Sequence, residues 1–313
     1  MADLRVKIGS LELENPVLTA SGTFGFGIEF ARYGDLSSLG AVVTKSITLE
    51  SRPGNPPPRI WETPSGMLNA IGLENPGFDY FARRALPLLR ETGAVIVVNI
   101  AGSGREEYHD LTGKVSALDG VAAIEVNAGC PNVKEGGLTF GRSPEMLHDL
   151  VASCREETDL PLLVKITPNV ADIVSTARAA VEAGADAVCA INTLLGMSVD
   201  VQKRVPRLAN VTGGLSGPAV RPVAVRCCYE IARAGLPVIG IGGIADADSA
   251  LEFILAGASA VQVGTMNFAD PGFVFRLPGM LSERLDELGA ASVAEYRGSL
   301  KPSEGGGGAS CVS

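Results

Sequence analysis

Eight short apolar runs recur along this 313-residue chain, each followed by a stretch of helical character, and that alternation narrows the fold before any single residue is considered. The runs are Pro16–Ala20, Ala41–Lys45, Ala94–Ile100, Val121–Asn127, Leu162–Ile166, Ala187–Asn192, Pro237–Ile241 and Ala260–Gly264. Helical periodicity follows at Glu29–Ser38, Phe78–Thr92, Arg105–Leu118, Pro144–Glu157, Ala171–Ala183, Ala219–Ala234, Ala247–Ala256 and Pro271–Leu288. The runs are apolar along most of their length instead of alternating, which predicts parallel strands covered on both faces. The economical closure is an α/β fold, a (β/α)8 TIM barrel, preceded by a small hairpin over Leu4–Leu13 that turns at Gly9-Ser10.

Two connections are too long for turns: Ser46 to Pro76, carrying GNPPPR and ETPSGMLNAIGLENPG, and Thr193 to Pro218, carrying LLGMSVD and VTGGLSGP. In a barrel both follow strands and lie over the C-terminal face, where barrel active sites are built, so they are expected to act as lids and pocket walls. Residues 1–300 are expected to form one domain, and the tail 301–313, KPSEGGGGASCVS, to be disordered for want of apolar surface.

A net charge of −9, with no Lys/Arg run longer than two, argues against binding nucleic acid or an anionic membrane. No stretch approaches the roughly 18 apolar residues of a membrane span, and MADLRVKIGS lacks a signal peptide's apolar region, so a cytoplasmic location is expected. The six Cys, at 130, 154, 189, 227, 228 and 311, show no paired CxxC spacing and predict free thiols, with no metal or iron–sulfur site.

Polar residues gather where the strands end. They are Ser21 and Gly22 after the first, Lys45 and Ser46 after the second, Asn99 on the third, Asn127 and Cys130 after the fourth, Lys165 at the fifth, and Asn192 and Thr193 after the sixth. Buried polar groups cost free energy unless paired, so two Lys and three Asn converging on one rim predict a functional pocket. Lys suits an anionic group or an electron-rich ring, and Asn matches the donors and acceptors of a planar amide or imide. The only two His, His109 and His148, fall in helical stretches, which leaves Cys130 best placed for proton chemistry. A Cys ordinarily just packs. Here Pro131 and Asn132, with Gly129, Gly136, Gly137 and Gly141, set it in a loop, VNAGCPNVKEGGLTFG.

The last two strands end in glycine, GIGGIAD at Gly240–Asp246 and VGTMNF at Val263–Phe268, the position of the usual barrel phosphate site, which Gly217 could join. The acidic residue that a dinucleotide fingerprint needs about 20 positions later is absent, position 262 being Gln. Spacing alone leaves flavin mononucleotide (FMN) and a phosphosugar both open.

The motifs TASGTFGFG at 19–27, TKSITLE at 44–50, NAIGLENPG at 69–77, VNAGCPNVKEGG at 126–137, VKITPNV at 164–170, NTLLGMSVD at 192–200, GGLSGPAV at 213–220 and IGGI at 241–244 resemble the dihydroorotate dehydrogenase family, in detail its NAD-linked class 1B catalytic subunits. The likeness runs from about residue 4 to 300 in order. It implies oxidation of dihydroorotate to orotate in UMP synthesis, with one FMN per chain as first acceptor. Carried over, Cys130 would take the C5 proton while hydride leaves C6 for the flavin. Lys45, Asn69, Ala70, Ile71, Gly72, Leu73, Asn127, Asn192 and Thr193 would hold the substrate. Ser21, Lys45, Ser46, Asn99, Asn127, Lys165, Ile191 and Gly217 would hold FMN, its phosphate on Gly242, Gly243, Gly264 and Thr265. A modest depression of a thiol from about 8.5 gives a usable thiolate at neutral pH, and Lys165 would stabilise a reduced ring.

The likeness also implies a homodimer of catalytic chains within a heterotetramer, whose second subunit carries FAD and a [2Fe–2S] cluster and passes electrons to NAD. Two departures stand out: Gly129 where the family usually has Ser, and Glu74 where it usually has Gln. A fumarate-linked dihydroorotate dehydrogenase, a phosphate-binding barrel without redox chemistry and an inactive scaffold subunit are the alternatives.

Overall fold

The computed structural model describes residues 1–129 and 137–301. At its centre stand eight parallel strands, Val17–Thr19, Val42–Val43, Ile96–Ile100, Ala123–Asn127, Leu162–Lys165, Ala187–Ala190, Val238–Ile241 and Ala260–Val263. Neighbours in the sheet are neighbours in the chain, and the eighth strand pairs with the first, Val261 opposite Val17. A parallel bridge from Leu18 to Ala41 joins first to second and closes the ring. Each of the eight runs read from the sequence contains one of these strands.

Both faces of the strands are buried, which is why the runs do not alternate. Val98, Ile100, Ile124, Val126, Val164 and Val188 face outward into the layer shared with the helices. Leu18, Val43, Val97, Ala123, Leu163 and Ile239 fill the inside. The helices Arg105–Ser116, Pro144–Arg155, Ile173–Glu182, Arg221–Arg233, Ala247–Leu255 and Phe273–Glu287 cover the outside, with a further helical stretch over 78–90. The N-terminal hairpin pairs Val6–Ile8 with Leu11–Leu13, and Gly9 makes its turn in the left-handed region at φ +58°.

Two elements differ from the expectation. The helix over Glu29–Ser38 is instead two short 3-10 turns, Ile28–Phe30 and Leu36–Ser38. Asp35 breaks it: its carboxylate accepts from the Ser37 N–H, a side-chain turn that competes with helix continuation. The two long connections, read as lids and walls, share a four-stranded antiparallel sheet in the order Leu194–Met197, Thr212–Ser216, Gly66–Asn69, Ile60–Thr63. Its key pairing, Asn69 with Gly214, spans far too much chain to be seen in local periodicity. Around this sheet Leu195, Met197, Val199 and Val205 are exposed, and Arg207 stacks over Trp61 at 4.2 Å. Among the described residues no helix is long and apolar enough to cross a membrane.

The seam between first and second strands is the shortest in the ring, and Asn15 holds it. Its Oδ1 accepts from the N–H groups of Val17 and Gly40, and its Nδ2 donates to the Ser38 carbonyl. Replacing Asn15 with Ala leaves the buried Val17 N–H without its acceptor, while the Gly40 N–H keeps the Val17 carbonyl, and is expected to lower the unfolding free energy by about 1–3 kcal/mol. A urea titration checks this, and unchanged stability would place the seam's strength elsewhere.

Candidate active site

All eight strands point their C-terminal ends at one rim, and a cavity of about 580 Å3 opens there beneath the inserted sheet. Its volume lies within the range of small-molecule sites. Strand ends and the loops just beyond them supply the floor: Ser21, Lys45, Ser46, Asn127, Lys165, Ile191 and Asn192. The wall comes from Asn69, Ile71, Gly72 and Leu73 of the first long connection and Thr193 ahead of the second.

The floor is tied together by side chains that hold one another. Asn192 Nδ2 donates to Asn127 Oδ1 at 3.2 Å, and Asn127 Nδ2 donates to Ser46 Oγ at 3.3 Å. Behind them Tyr108 donates its hydroxyl to the Asn127 carbonyl at 2.8 Å, fixing the strand end from the helix side. Thr193 is held by its own N–H donating to Asn192 Oδ1, and by Asn169 Nδ2 donating to its carbonyl. Asn169 is therefore a supporting residue that the strand-end reading passed over.

Two cations face the cavity without an ion pair among the described residues. Lys165 is only 6% exposed, and its Nζ reaches Ser21 Oγ at 3.5 Å. Lys45 is partly buried, and burial pushes its ammonium below the ordinary lysine value, Glu74 opposing this and Arg59 adding to it. A buried cation costs free energy, and an anionic group in the cavity would relieve that cost. Glu74, one of the departures, lies on the wall and is paired with Arg59. The other, Gly129, leaves no room for a side chain: a Cβ there would come within 2.8 Å of the Thr167 backbone nitrogen.

At the opposite end, Gly217, Gly242, Gly243, Gly264 and Thr265 line the cavity together. Gly243 sits at φ +74°, and a Cβ on it would lie 2.9 Å from the Gly217 carbonyl oxygen and 2.7 Å from Arg221 Cβ. The backbone thus forms a cradle that only glycine allows, beside the start of the helix Arg221–Arg233, where a phosphate would be favoured. Ser216 accepts from Thr265 Oγ1 at 2.8 Å and stitches the insert to this cradle.

Three residues singled out in the sequence are not on the cavity surface described here. Asn99 is fully buried one layer below, donating to Glu125, and Ala70 turns into a small cluster with Leu68 and Leu208. Cys130 lies outside the described residues, as do Pro131 and Asn132. Conversely Thr63, Ser216 and Phe268 line the cavity with Glu74; all lie in stretches marked in the sequence, but none was singled out there as a residue of the site. Thr63 Oγ1 is buried there without a hydrogen-bond partner.

The family model described as dihydroorotate dehydrogenase matches residues 3–285. The chain is 52% identical over 299 residues to a protein of Geotalea uraniireducens named dihydroorotate dehydrogenase B (NAD(+)), catalytic subunit, covering 95% of this chain and 98% of that one. A protein of the same name from Solidesulfovibrio magneticus is 53% identical over 301 residues, covering 96% and 98%. In three dimensions the chain is similar to the dihydroorotate dehydrogenase of Eimeria tenella, solved in complex with ferulenol, with a TM-score of 0.79 at 24% identity over 95% of this chain and 88% of that one. That last likeness concerns the fold.

Substituting Gly243 with Ala tests the cradle. It forces a Cβ into the left-handed region against the Gly217 carbonyl, and FMN binding to the flavin-free protein is expected to weaken at least tenfold, about 1.4 kcal/mol. Fluorescence titration measures it, and an unchanged affinity would move the phosphate elsewhere.

Proposed function

The chain belongs to the dihydroorotate dehydrogenase family, and from that premise we propose that it is the catalytic subunit of the NAD-linked form, oxidising (S)-dihydroorotate to orotate in pyrimidine biosynthesis. The observation that carries this reading is the cavity: two lysines and two linked asparagines at one end, and a glycine-only cradle at the other. FMN fits this arrangement, its phosphate on Gly217, Gly242, Gly243, Gly264 and Thr265 and its ring beside Ser21, Lys45, Ser46, Asn127, Lys165 and Ile191. Asn99 would act from the layer below. When bound, FMN supplies the acceptor for a hydride.

The protein's own residues do the rest. Lys45, Asn69, Ile71, Gly72, Leu73, Asn127, Asn192 and Thr193 hold the dihydropyrimidine, the lysine meeting its carboxylate and the amides its ring N–H and carbonyl groups. The Asn127–Asn192 hydrogen bond sets which face each amide offers. Cys130, as thiolate, takes the proton from C5 while hydride leaves C6, so that the C5=C6 double bond of orotate forms as both C–H bonds break. Lys165 favours electron density arriving above it. The inserted sheet roofs the site and limits water.

A second subunit bearing FAD and a [2Fe–2S] cluster would carry the electrons on to NAD. The term "catalytic subunit" in the relatives' names supports a partner. Two catalytic chains pair at the centre, a reading that the exposed apolar side chains Leu195, Met197, Val199 and Val205 support.

Assays with dihydroorotate and different acceptors test the assignment. The isolated chain is expected to reduce a redox dye but not NAD, and to gain NAD reduction when reconstituted with the flavin and iron–sulfur subunit. Efficient fumarate reduction would overturn the NAD assignment, and no dye reduction would overturn the substrate.

A further inference from the structure

Beneath the cavity floor lies a polar layer that the reaction above does not use. Glu125 is fully buried inside the barrel, on the same face of its strand as Asn127 and two residues below it, about 7 Å further from the rim. Asn99 Nδ2 donates to its Oε1 at 2.6 Å, and Gln262 Nε2 donates from the eighth strand to its Oε2 at 2.5 Å. Gln262 Nε2 also lies 3.7 Å from Cys189 Sγ. Burial pushes that thiol well above its ordinary value, Glu125 adds to the rise and Lys165 opposes it, so Cys189 stays neutral.

Glu125 accepts from a different amide on each of its oxygens. Both amides must then turn their NH2 groups toward it, which leaves their carbonyl oxygens facing away. Those oxygens, Asn99 Oδ1 and Gln262 Oε1, are buried and have no hydrogen-bond partner among the described residues. The position relative to the floor is set by register: Glu125 pairs with Leu163, and Asn127 with Lys165, so Lys165 stands one inward-facing step above the carboxylate. Among the described residues Lys165 and Glu125 form no ion pair, and both are buried, where salt screens charges little.

We propose that Glu125 is a positioning residue of the flavin seat: clamped between Asn99 and Gln262, it locks the orientation of both amides and places a negative charge under Lys165, holding the bound flavin at a lower reduction potential than Lys165 alone would give. Lys165 draws electron density to the seat from dihydroorotate, and Glu125 keeps that attraction shallow enough for electrons to pass on to a low-potential acceptor such as NAD. The proposal rests on the flavin reading above.

The test is an anaerobic equilibrium titration of the FMN-loaded full chain against a reference dye. In E125Q, which keeps shape and removes charge, the ratio of reduced to oxidised flavin at fixed dye potential is expected to rise at least tenfold, about 30 mV for a two-electron couple. Glu125→Met, an apolar replacement of similar volume in case the buried amide disturbs folding, is expected to shift the same way. Glu125→Asp retains the charge and is expected to stay within twofold of the unaltered protein. A purely structural Glu125 would change stability without moving the ratio. A shift under twofold in both charge-removing variants, or a shift the opposite way, overturns the proposal. An unaltered chain that takes up no flavin would instead overturn the flavin reading, and this inference with it.

Discussion

Closing eight parallel strands into a ring forces every C-terminal strand end onto one rim, and the rest of the molecule answers to that constraint. The strands must be apolar on both faces to be buried between core and helices. Polar side chains gather at the strand ends, where Lys45, Lys165, Asn127 and Asn192 meet around one cavity, above a single buried layer of Asn99, Glu125 and Gln262. Such groups are costly to bury and are tolerated because they face each other and a ligand-sized space. The inserted sheet makes the rim a site by covering it, and Ser216 ties that cover to the glycine cradle.

Most of this was legible in the sequence because it is local. A buried parallel strand announces itself in four or five residues, and the residue that follows it is automatically at the rim, so Ser21, Lys45, Asn127, Lys165 and Asn192 could be placed by counting. The glycine cradle was legible for the same reason. What depends on distant pairing was not: the sheet joining Asn69 to Gly214, and the support that Asn169 gives Thr193. Direction within an element was also missed. Asn99 lies a layer too deep to reach the cavity surface, and Ala70 points into the insert's own core. Glu125, in the run AIEVN, sits in an apolar strand, and only the barrel's interior shows that it meets Asn99 and Gln262.

The two departures from the family's usual residues acquire physical reasons. Gly129, which precedes Cys130 in the sequence, lies so close to the backbone of Thr167 that a side chain would force that backbone to shift. Glu74 is paired with Arg59, so a carboxylate can stand on the cavity wall beside Lys45 without a net negative charge of its own. At the wall, then, charge is balanced in a pair, Glu74 with Arg59, whereas Lys45 and Lys165 have no ion-pair partner among the described residues.

The central claim is that this cavity joins a flavin to dihydroorotate with Cys130 as base. The most direct measurement is a single turnover under anaerobic conditions, following the visible flavin band after mixing with dihydroorotate. The account predicts rapid bleaching in the unaltered chain and a response largely lost at neutral pH in Cys130→Ala, with the flavin still bound. Flavin that stays oxidised on mixing, or bleaching that is equally fast without the thiol, would contradict it.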